Sequence, residues 1–290
     1  MKANKFLLYF VVLIISLILM SYTFILFYKN EGCINVIDNF DKIGTKKFTD
    51  FKYFNLQKET NNNWASYVSL ENNNLTFGFH RGEGDIQPFG NKVERIQTNL
   101  YSFIKRPKWI QNTFMFELSE DMLPVINTNS EFKWLTIFEV WNDPGWIGSS
   151  SPYRLSFNLI KDSELDYLTP VLSGEYKDYE KNTWKTLWKD KLNTKIIPGI
   201  KYEFLIALDL LNSPSVSVEL TDLSHNTTTK LDVDRALQHP NLNEVKGFWG
   251  LNPIKLYTGS RVLDEVTKHN GALAINFSNV KVCYKNINLF

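Results

Sequence analysis

The sequence predicts an all-β protein, a jelly-roll sandwich of two antiparallel sheets, preceded by one transmembrane helix. Three observations support this prediction. Short runs of alternating apolar and polar residues recur along the chain, turn residues separate these runs, and an uncharged apolar segment stands near the N-terminus. The 290 residues are 43% hydrophobic and 14% aromatic, which is enough material for one sizeable core.

The N-terminal segment is the first predicted element. Residues 6–28 contain no charged side chain and follow Lys2 and Lys5. As a helix they would span about 34 Å, enough to cross the apolar part of a bilayer. The run is too long for a typical cleaved signal peptide and does not end in small residues. We therefore predict that residues 1–29 are a signal anchor with a cytoplasmic N-terminus; a long cleaved signal peptide is the alternative.

The anchor places the rest of the protein outside the cytoplasm, in the periplasm or at the cell surface. Residues 30–50 are predicted to be a tether and first strand region, and residues 51–290 a single domain. Cys33 and Cys283 lie near the two ends of this region. A bridge between them suits an oxidising compartment and would stabilise the fold by at most about 5 kcal/mol. Two unpaired thiols are the alternative.

The domain is predicted to consist almost entirely of strands. Residues 64–80 form two alternating runs around an Asn-rich turn, as in a β-hairpin. A short helix is predicted over residues 232–239. The further predicted strands are 91–103, 113–118, 133–141, 153–160, 201–210, 215–220, 253–259 and 272–284. Many short strands with few helices are typical of a sandwich or jelly roll.

Alternation along each strand predicts which side chains share a face. In 153–160, Arg154, Ser156 and Asn158 alternate with an apolar set that would face the core. In 133–141 the alternation separates two sets: Trp134, Thr136, Phe138 and Val140 from Leu135, Ile137, Glu139 and Trp141. Two more pairs share faces, Lys92 with Glu94 and Lys255 with Tyr257.

A sheet with one buried face and one polar, aromatic face suits a glycan groove. Aromatic rings cover the apolar faces of sugars, and charged or amide groups bind hydroxyls and carboxylates. An ordinary solvated face would explain the alternation equally well, but explains Trp141 and Trp146 less easily. The predicted groove residues are Lys92, Glu94, Glu139, Trp141, Trp146, Arg154, Asn158, Lys255 and Tyr257.

The order of these motifs resembles the concanavalin A-like lectin/glucanase superfamily, and most of all its jelly-roll polysaccharide lyases of the alginate-lyase and heparin-lyase type. The resemblance spans roughly residues 50–290. NKVERIQ matches an Arg-x-Glu-Leu-Arg strand in part, with Ile96 where the second arginine would stand. Trp141 stands where a Gln-Ile-His strand has its histidine. KLYTG replaces a Lys-x-Gly-x-Tyr strand, so Tyr257 occupies the glycine position.

The resemblance implies β-elimination of a uronate-containing polysaccharide. Such a lyase needs a cation for the uronate carboxylate, a base for the C5 proton and an acid for the leaving oxygen. Tyr257 is the candidate acid and base, and Lys255 or Arg154 the candidate cation. His80 ends a predicted strand and is a further catalytic candidate, although a lone histidine is more often structural.

The retaining glucanases of the same superfamily carry two carboxylates on one strand face, about 5–5.5 Å apart. Glu139 could be one of them, but Trp141 stands where the second should be, and Asp143 lies beyond the predicted strand end. A glycoside hydrolase is therefore the third hypothesis. A non-catalytic glycan-binding or envelope-structural module is the second, because tryptophan replaces the expected histidine.

The remaining partners and cofactors follow from charge and spacing. Lys+Arg exceed Asp+Glu by one, 32 against 31, which predicts no nucleic-acid partner. The predicted partners are a polysaccharide and, through residues 6–28, a membrane. No organic cofactor and no metal site are expected from the spacing of Cys, His and acidic residues, although the resemblance leaves room for a structural calcium ion.

Overall fold

The computed structural model of the chain describes thirteen stretches of the sequence. These are 11–20, 31–40, 51–59, 64–81, 93–103, 107–128, 132–142, 153–178, 181, 183–211, 215–234, 247–269 and 271–285. In these stretches, sixteen strands form two antiparallel sheets that pack face to face, and the helices are few and short. The predicted all-β sandwich is therefore confirmed.

The first sheet contains eight of the described strands, in the order β13-β12-β11-β6-β16-β4-β3, with β1 beside β16. Their bounds are β1 Glu31–Asn35, β3 Trp64–Glu71, β4 Asn74–Arg81, β6 Trp109–Leu118, β11 Lys201–Asp209, β12 Ser215–Asp222, β13 Thr227–Val233 and β16 Leu273–Lys285. The predicted hairpin is β3–β4, and Asn72 and Asn73 form its turn with positive φ. Asparagine tolerates that left-handed conformation better than most residues.

The second sheet contains the other eight described strands, in the order β10-β9-β8-β7-β14-β5-β15, with β2 beside β5 and a further pairing of β7 with β15. Their bounds are β2 Phe51–Glu59, β5 Val93–Phe103, β7 Phe132–Trp141, β8 Tyr153–Lys161, β9 Thr169–Asp178, β10 Thr183–Lys191, β14 Gly250–Asn252 and β15 Lys255–Gly259. Both β14 and β15 lie between β5 and β7, as one strand interrupted at residues 253–254.

The helices differ from the prediction. Helix α1 is described over residues 11–20, α2 is Leu123–Ile126 after a 3-10 turn at Glu120–Met122, and α3 is Ser260–Lys268. Of the helix predicted over 232–239, the first two residues belong to β13 and residues 235–239 lie outside the described residues. Helix α3 was not predicted.

The predicted membrane segment is only partly covered by the structure. Residues 11–20 are helical, and their large apolar side chains are exposed. Residues 6–10 and 21–28 lie outside the described residues. Within the described part of the chain, no helix is both long enough and apolar enough to span a bilayer.

Aromatic side chains join the two sheets in the core. Phe204 of the first sheet lies 4.4 Å from Phe157 and 5.9 Å from Phe138 of the second sheet, measured between ring centroids. Phe114 extends this contact within the first sheet at 4.9 Å from Phe204. All four side chains are buried. Since burying one such side chain stabilises a fold by about 1.5–3 kcal/mol, this cluster fixes the spacing of the sheets.

A disulfide ties the two ends of the domain together. Cys33 of β1 lies opposite Cys283 of β16, and their sulfur atoms are bonded at 2.05 Å. The bond closes a sequence separation of 250 residues. It lies in the first sheet and constrains the unfolded chain, so it stabilises the domain as a whole.

Candidate functional site

A long groove lies on the outer face of the second sheet. It consists of two depressions of about 530 and 370 Å³ that share Glu139, Arg154 and Tyr257. The larger depression is also lined by Asn55, Gln57, Arg95, Gln97, Asn99, Tyr101, Trp141, Trp184, Trp249, Asn252 and Lys255. The smaller one is also lined by Trp134, Thr136, Ser156, Asn158, Ile160, Ser173, Glu175, Thr186 and Lys189.

A bulge in β7 brings Glu139 and Trp134 to the same face. The pairing of β7 with β8 shifts by one residue between Thr136 and Phe138. A bulge of this kind inserts one residue and inverts the alternation beyond it. Trp134 and Thr136 before the bulge, and Glu139 and Trp141 after it, therefore all line the groove. The prediction that Trp134 and Glu139 lie on opposite faces was wrong for this reason.

The break between β14 and β15 aims two further side chains into the groove. In a regular strand, Asn252 and Lys255 would point to opposite faces, because they are three residues apart. The interruption at Pro253 brings both into the groove. Asn112, on the core side of the first sheet, crosses the sandwich and donates its amide to the Pro253 carbonyl at 2.8 Å. Thr98 donates its backbone N–H to the next carbonyl, that of Ile254, at 3.2 Å.

An ion pair stands at the centre of the groove. Lys255 Nζ donates to Glu139 Oε2 at 2.8 Å, and both side chains are only 3% exposed. Burial lowers the pKa of Lys255 to about 8, with help from Arg95 and Arg154 and against the pull of Glu139. Burial alone would raise the pKa of Glu139, but Lys255, Arg154 and Arg95 together lower it. Three cations that line the groove thus favour the charged form of one buried carboxylate.

Arg154 links this centre to the edge of the groove. Its Nε donates to Glu175 Oε2 at 2.6 Å, and its guanidinium lies 4.0 Å from the ring centre of Trp184. Burial would lower the pKa of Arg154, but Glu139 and Glu175 outweigh it and raise the pKa. The guanidinium is therefore a fixed positive charge between two carboxylates and an aromatic ring.

Tyr257 lies where the two depressions meet. Its ring is flanked by Arg95 Cζ at 4.7 Å and by Lys255 Nζ at 4.6 Å from the ring centre. The ring of Trp134 packs against it at 4.7 Å between centroids. Two cations therefore lie against the ring of the tyrosine that both depressions share.

Amide side chains form a connected wall in the larger depression. Asn99 Nδ2 donates to Asn55 Oδ1 at 2.6 Å, and Asn252 Nδ2 donates to Asn99 Oδ1 at 2.6 Å. Gln97 Nε2 donates to Gln57 Oε1 at 2.9 Å. Such a network holds each amide of the wall in one orientation.

Hydroxyl and amide groups line the smaller depression in the same way. Thr136 Oγ1 donates to Asn158 Oδ1 at 2.6 Å. Asn158 Nδ2 donates to Ser156 and Ser173 at 3.1 and 3.2 Å. Apart from Lys189 and Glu175 at its margin, this part of the groove beyond the shared residues is uncharged.

Aromatic rings cover the end of the larger depression. Trp141 lies over Gly250, where an added Cβ would come within 2.8 Å of the indole and 2.7 Å of the Tyr101 Cβ. Only glycine allows these rings to approach the sheet so closely at this position. Trp184 and Trp249 complete the aromatic surface.

The structure brings most of the predicted site residues together. Glu139, Trp141, Arg154, Asn158, Lys255 and Tyr257 all line the groove. Their proposed roles stay predictions. Lys92 and Trp146 lie outside the described residues.

Two predicted residues do not line the groove. His80 lies on β4 in the first sheet, where it is exposed and its ring lies 5.9 Å from that of Tyr67. Glu94 is fully buried on the core side of β5, opposite Thr258, so the groove-facing neighbour is Arg95 instead. The predicted alternation of β5 was right, but the wrong set was assigned to the groove.

Sequence reasoning missed several groove residues. Arg95, Gln97 and Asn99 alternate along β5 with buried Ile96, Thr98 and Leu100, a pattern that is visible in the sequence and indicates the correct face. Asn55, Gln57 and Trp184 lie on β2 and β10, which were not predicted as strands. Asn252 faces the groove because the strand is interrupted at Pro253, so alternation along a regular strand does not predict its orientation.

The described residues contain no cluster of three or more His, Cys, Asp or Glu side chains that could hold a metal ion. The structural calcium ion that the sequence resemblance allows stays a prediction.

Comparison with solved structures gives matches to lyases and lectins. The chain is similar to an endo-β-1,4-glucuronan lyase from the fungus Trichoderma reesei (11% identity, TM-score 0.46, covering 80% of this chain and 94% of that one). It is similar to an exolytic PL7 alginate lyase from Zobellia galactanivorans (7%, 0.46, 77% and 88%). It is also similar to arcelin-5, a lectin-like defense protein from Phaseolus vulgaris (14%, 0.44, 88% and 98%).

These matches include lyases and lectins, the two kinds of protein that the sequence resemblance names. At these identities and TM-scores the similarity concerns the fold alone. No protein-family model and no curated protein sequence matches the chain.

Proposed function

We propose that the groove binds a stretch of polysaccharide. The observation that carries this proposal is the composition of one sheet face: three tryptophan rings beside a hydrogen-bonded wall of amides in one open depression. Rings stack on the apolar faces of sugars, while fixed amides bind hydroxyl groups. The opposite sheet offers a smaller polar depression of about 260 Å³, lined by Phe116 but by no tryptophan among the described residues.

Binding is tested with the full chain in mild detergent and a panel of acidic and neutral oligosaccharides, measured by calorimetry. Trp184→Ala removes a half-buried ring of the groove and should weaken binding about fivefold, the loss expected for one ring contact. Trp109→Ala removes a half-buried ring from the outer face of the first sheet and should leave affinity unchanged. Equal affinity of wild type and Trp184→Ala, or no binding across the panel, would contradict the proposal.

A second candidate function is cleavage of the bound glycan by β-elimination. The observation that favours it is Tyr257 between Arg95 and Lys255 at the junction of the depressions. The phenolate of Tyr257 would take the C5 proton of a uronate, and the C4–O glycosidic bond would break as the C4=C5 bond forms. The resulting phenol would then give that proton to the leaving oxygen.

The cation for the uronate carboxylate in this scheme is Lys255 or Arg154, the candidates from the sequence, or Arg95, since all three line the groove. Tyr257→Phe keeps the ring and removes the hydroxyl, so it should abolish any ultraviolet-absorbing product while oligosaccharide affinity is retained. Unchanged product formation would remove Tyr257 from the mechanism.

Hydrolysis is the weakest of the three candidates. A nucleophilic Glu139 would need to leave the ion pair with Lys255 and work beside a second carboxyl about 5–5.5 Å away. Shortened products without ultraviolet absorbance would favour hydrolysis over β-elimination.

We further propose that residues 6–28 anchor the protein in a membrane with the domain outside the cytoplasm. The uncharged apolar run supports this proposal, and the Cys33–Cys283 disulfide suits an oxidising compartment. Alkaline carbonate extraction of membranes tests the anchor, since an anchored chain stays in the pellet. Release into the supernatant would contradict it.

A further inference from the structure

Three cations of the groove favour the charged form of Glu139, a carboxylate that belongs to the chain itself, and one of them, Arg154, is also paired with Glu175. Arg95, Arg154 and Lys255 line the same depression as Glu139. Lys255 Nζ is bonded to Glu139 Oε2 at 2.8 Å, and the two side chains are almost fully buried. Each of the three cations favours the charged form of Glu139 and lowers its pKa. The arrangement is that of an anion-binding site with an anion already in it.

The neighbours of these cations fix them in place. Arg95 and Lys255 both lie against the ring of Tyr257, at 4.7 and 4.6 Å. Arg154 lies against Trp184 and is bonded to Glu175. Positive groups held by rings and strands cannot move apart to relieve their mutual repulsion, so they need a negative charge between them.

We infer that the Glu139 carboxylate occupies a carboxylate-binding site of the groove. Its presence there disfavours the binding of acidic sugars at this position. As long as Glu139 engages Lys255, a glycan carboxylate gains little from the cations, and a neutral sugar is preferred there. The sugar preference rests on the proposed glycan binding and counts against the second candidate function, cleavage at a uronate, whereas the anion site rests on neither. Glu139 is thus a specificity-determining residue.

A chemical-rescue experiment tests the anion site without any glycan. Glu139→Ala deletes the part of the side chain that acetate reproduces, a carboxylate with one further carbon. Melting of the full chain in detergent should occur at a lower temperature in this variant, and added acetate should raise that temperature in a saturable way. Acetamide, which has a similar shape and no charge, should not. The wild type should not respond to either.

A matched control comes from the first sheet. Glu219 pairs with Lys230 on the solvated face, where the lysine side chain is 64% exposed. Glu219→Ala should melt close to the wild type and show no saturable response to acetate. The inference is overturned if acetate fails to restore Glu139→Ala, or if acetamide or the Glu219→Ala control gives the same response.

A second variant keeps the inference testable if Glu139→Ala does not fold. Glu139→Gln keeps an acceptor for Lys255 Nζ and removes the negative charge. The ratio of affinity for an oligouronate over that for a neutral oligosaccharide of the same length should rise about tenfold, the change expected for one recovered charged hydrogen bond. An unchanged or lower ratio would overturn the inference. If neither protein binds any oligosaccharide, the proposed glycan binding fails. The anion site is then decided by acetate alone, which should raise the melting temperature of Glu139→Ala and leave that of Glu139→Gln unchanged.

Discussion

The outer faces of the two sheets each carry an ion pair, and the two pairs differ in how far they are exposed to solvent. On the first sheet, Lys230 and Glu219 form an ion pair whose side chains are 64% and 39% exposed. On the second sheet, Lys255 and Glu139 form one whose side chains are each 3% exposed. An exposed pair contributes about 0–1 kcal/mol, whereas a buried pair loses several kcal/mol of hydration for each ion. The second sheet therefore keeps a costly arrangement that the first sheet avoids.

This difference indicates which of the two outer faces is the functional one. A buried ion pair is often no more stabilising than an apolar pair of the same size, so stability alone does not explain it. The same face carries the amide wall and the groove tryptophans. The disulfide and the groove lie on different sheets: the first sheet holds the disulfide, and the second sheet holds the groove.

The largest expected loss of stability comes from removing only one partner of the buried ion pair. Lys255→Met leaves Glu139 buried without its bonded cation, and should lower the free energy of unfolding by about 3–5 kcal/mol. The double variant Lys255→Met/Glu139→Leu should recover most of this loss. Lys230→Ala on the first sheet should change stability by less than about 1 kcal/mol. Urea denaturation measures all three, and equal effects of Lys255→Met and Lys230→Ala would remove the contrast between the faces.

Removing the disulfide tests the other half of the contrast. Replacing Cys33 and Cys283 by serine should lower the free energy of unfolding by about 2–4 kcal/mol, because the disulfide no longer restricts the conformations of the unfolded chain. Oligosaccharide affinity should stay unchanged, since the bond lies in the sheet opposite the groove. A groove that loses affinity together with the disulfide would show that the two sheets are not separable in this way.

The pH dependence of stability sharpens the contrast. In the folded protein the pKa of Lys255 is lowered to about 8, against an ordinary value of 10.5 that applies to the unfolded chain. Between these values the unfolded chain binds more protons, so the free energy of unfolding rises with pH. The difference between wild type and Lys255→Met should grow by up to about 3 kcal/mol from pH 8 to pH 10.5. A flat difference would mean that Lys255 keeps its ordinary pKa in the folded protein, and a falling one that its pKa is raised there; either would contradict this prediction.

The smallest expected change in stability comes from the contact that crosses the core. Asn112→Leu removes the donor to the Pro253 carbonyl. It also removes Asn112 Oδ1, a buried acceptor with no partner among the described residues, so the net loss should be only about 1 kcal/mol. The Lys255 ammonium signal in NMR spectra should nevertheless shift, because Pro253 sets the break that aims Lys255. Gln111→Leu, on the outer face of the same strand, should not move that signal; equal shifts in both variants would refute this positioning role.

The sequence predicts the sandwich and much of the groove because alternation survives in regular strands. Arg154, Ser156 and Asn158 were assigned to the correct face for this reason. Alternation fails where a strand is irregular. The bulge after Thr136 and the break at Pro253 both change which side chains reach the groove. The bulge has no signature in the local sequence, whereas the proline marks the break but not the direction in which Asn252 and Lys255 then point.

The prediction that Glu94 lines the groove failed for a different reason. The alternation of β5 is regular, but alternation gives two sets and does not say which set faces the core. The apolar partners Ile96 and Leu100 share the parity of Glu94 and decide the matter. A carboxylate on the core side was not expected, because buried charges are rare. A similar limit applies to His80, whose sheet follows from long-range pairing rather than from its neighbours.

The central claim is that the outer face of the second sheet, and not that of the first, binds a glycan. The most direct measurement is an NMR titration of the full chain in detergent with the oligosaccharide panel, observing tryptophan indole N–H signals. We expect saturable shifts of Trp141, Trp184 and Trp249 in the groove, with the Trp109 signal of the first sheet unmoved. Shifts confined to Trp109, or no shift with any oligosaccharide, would contradict the account.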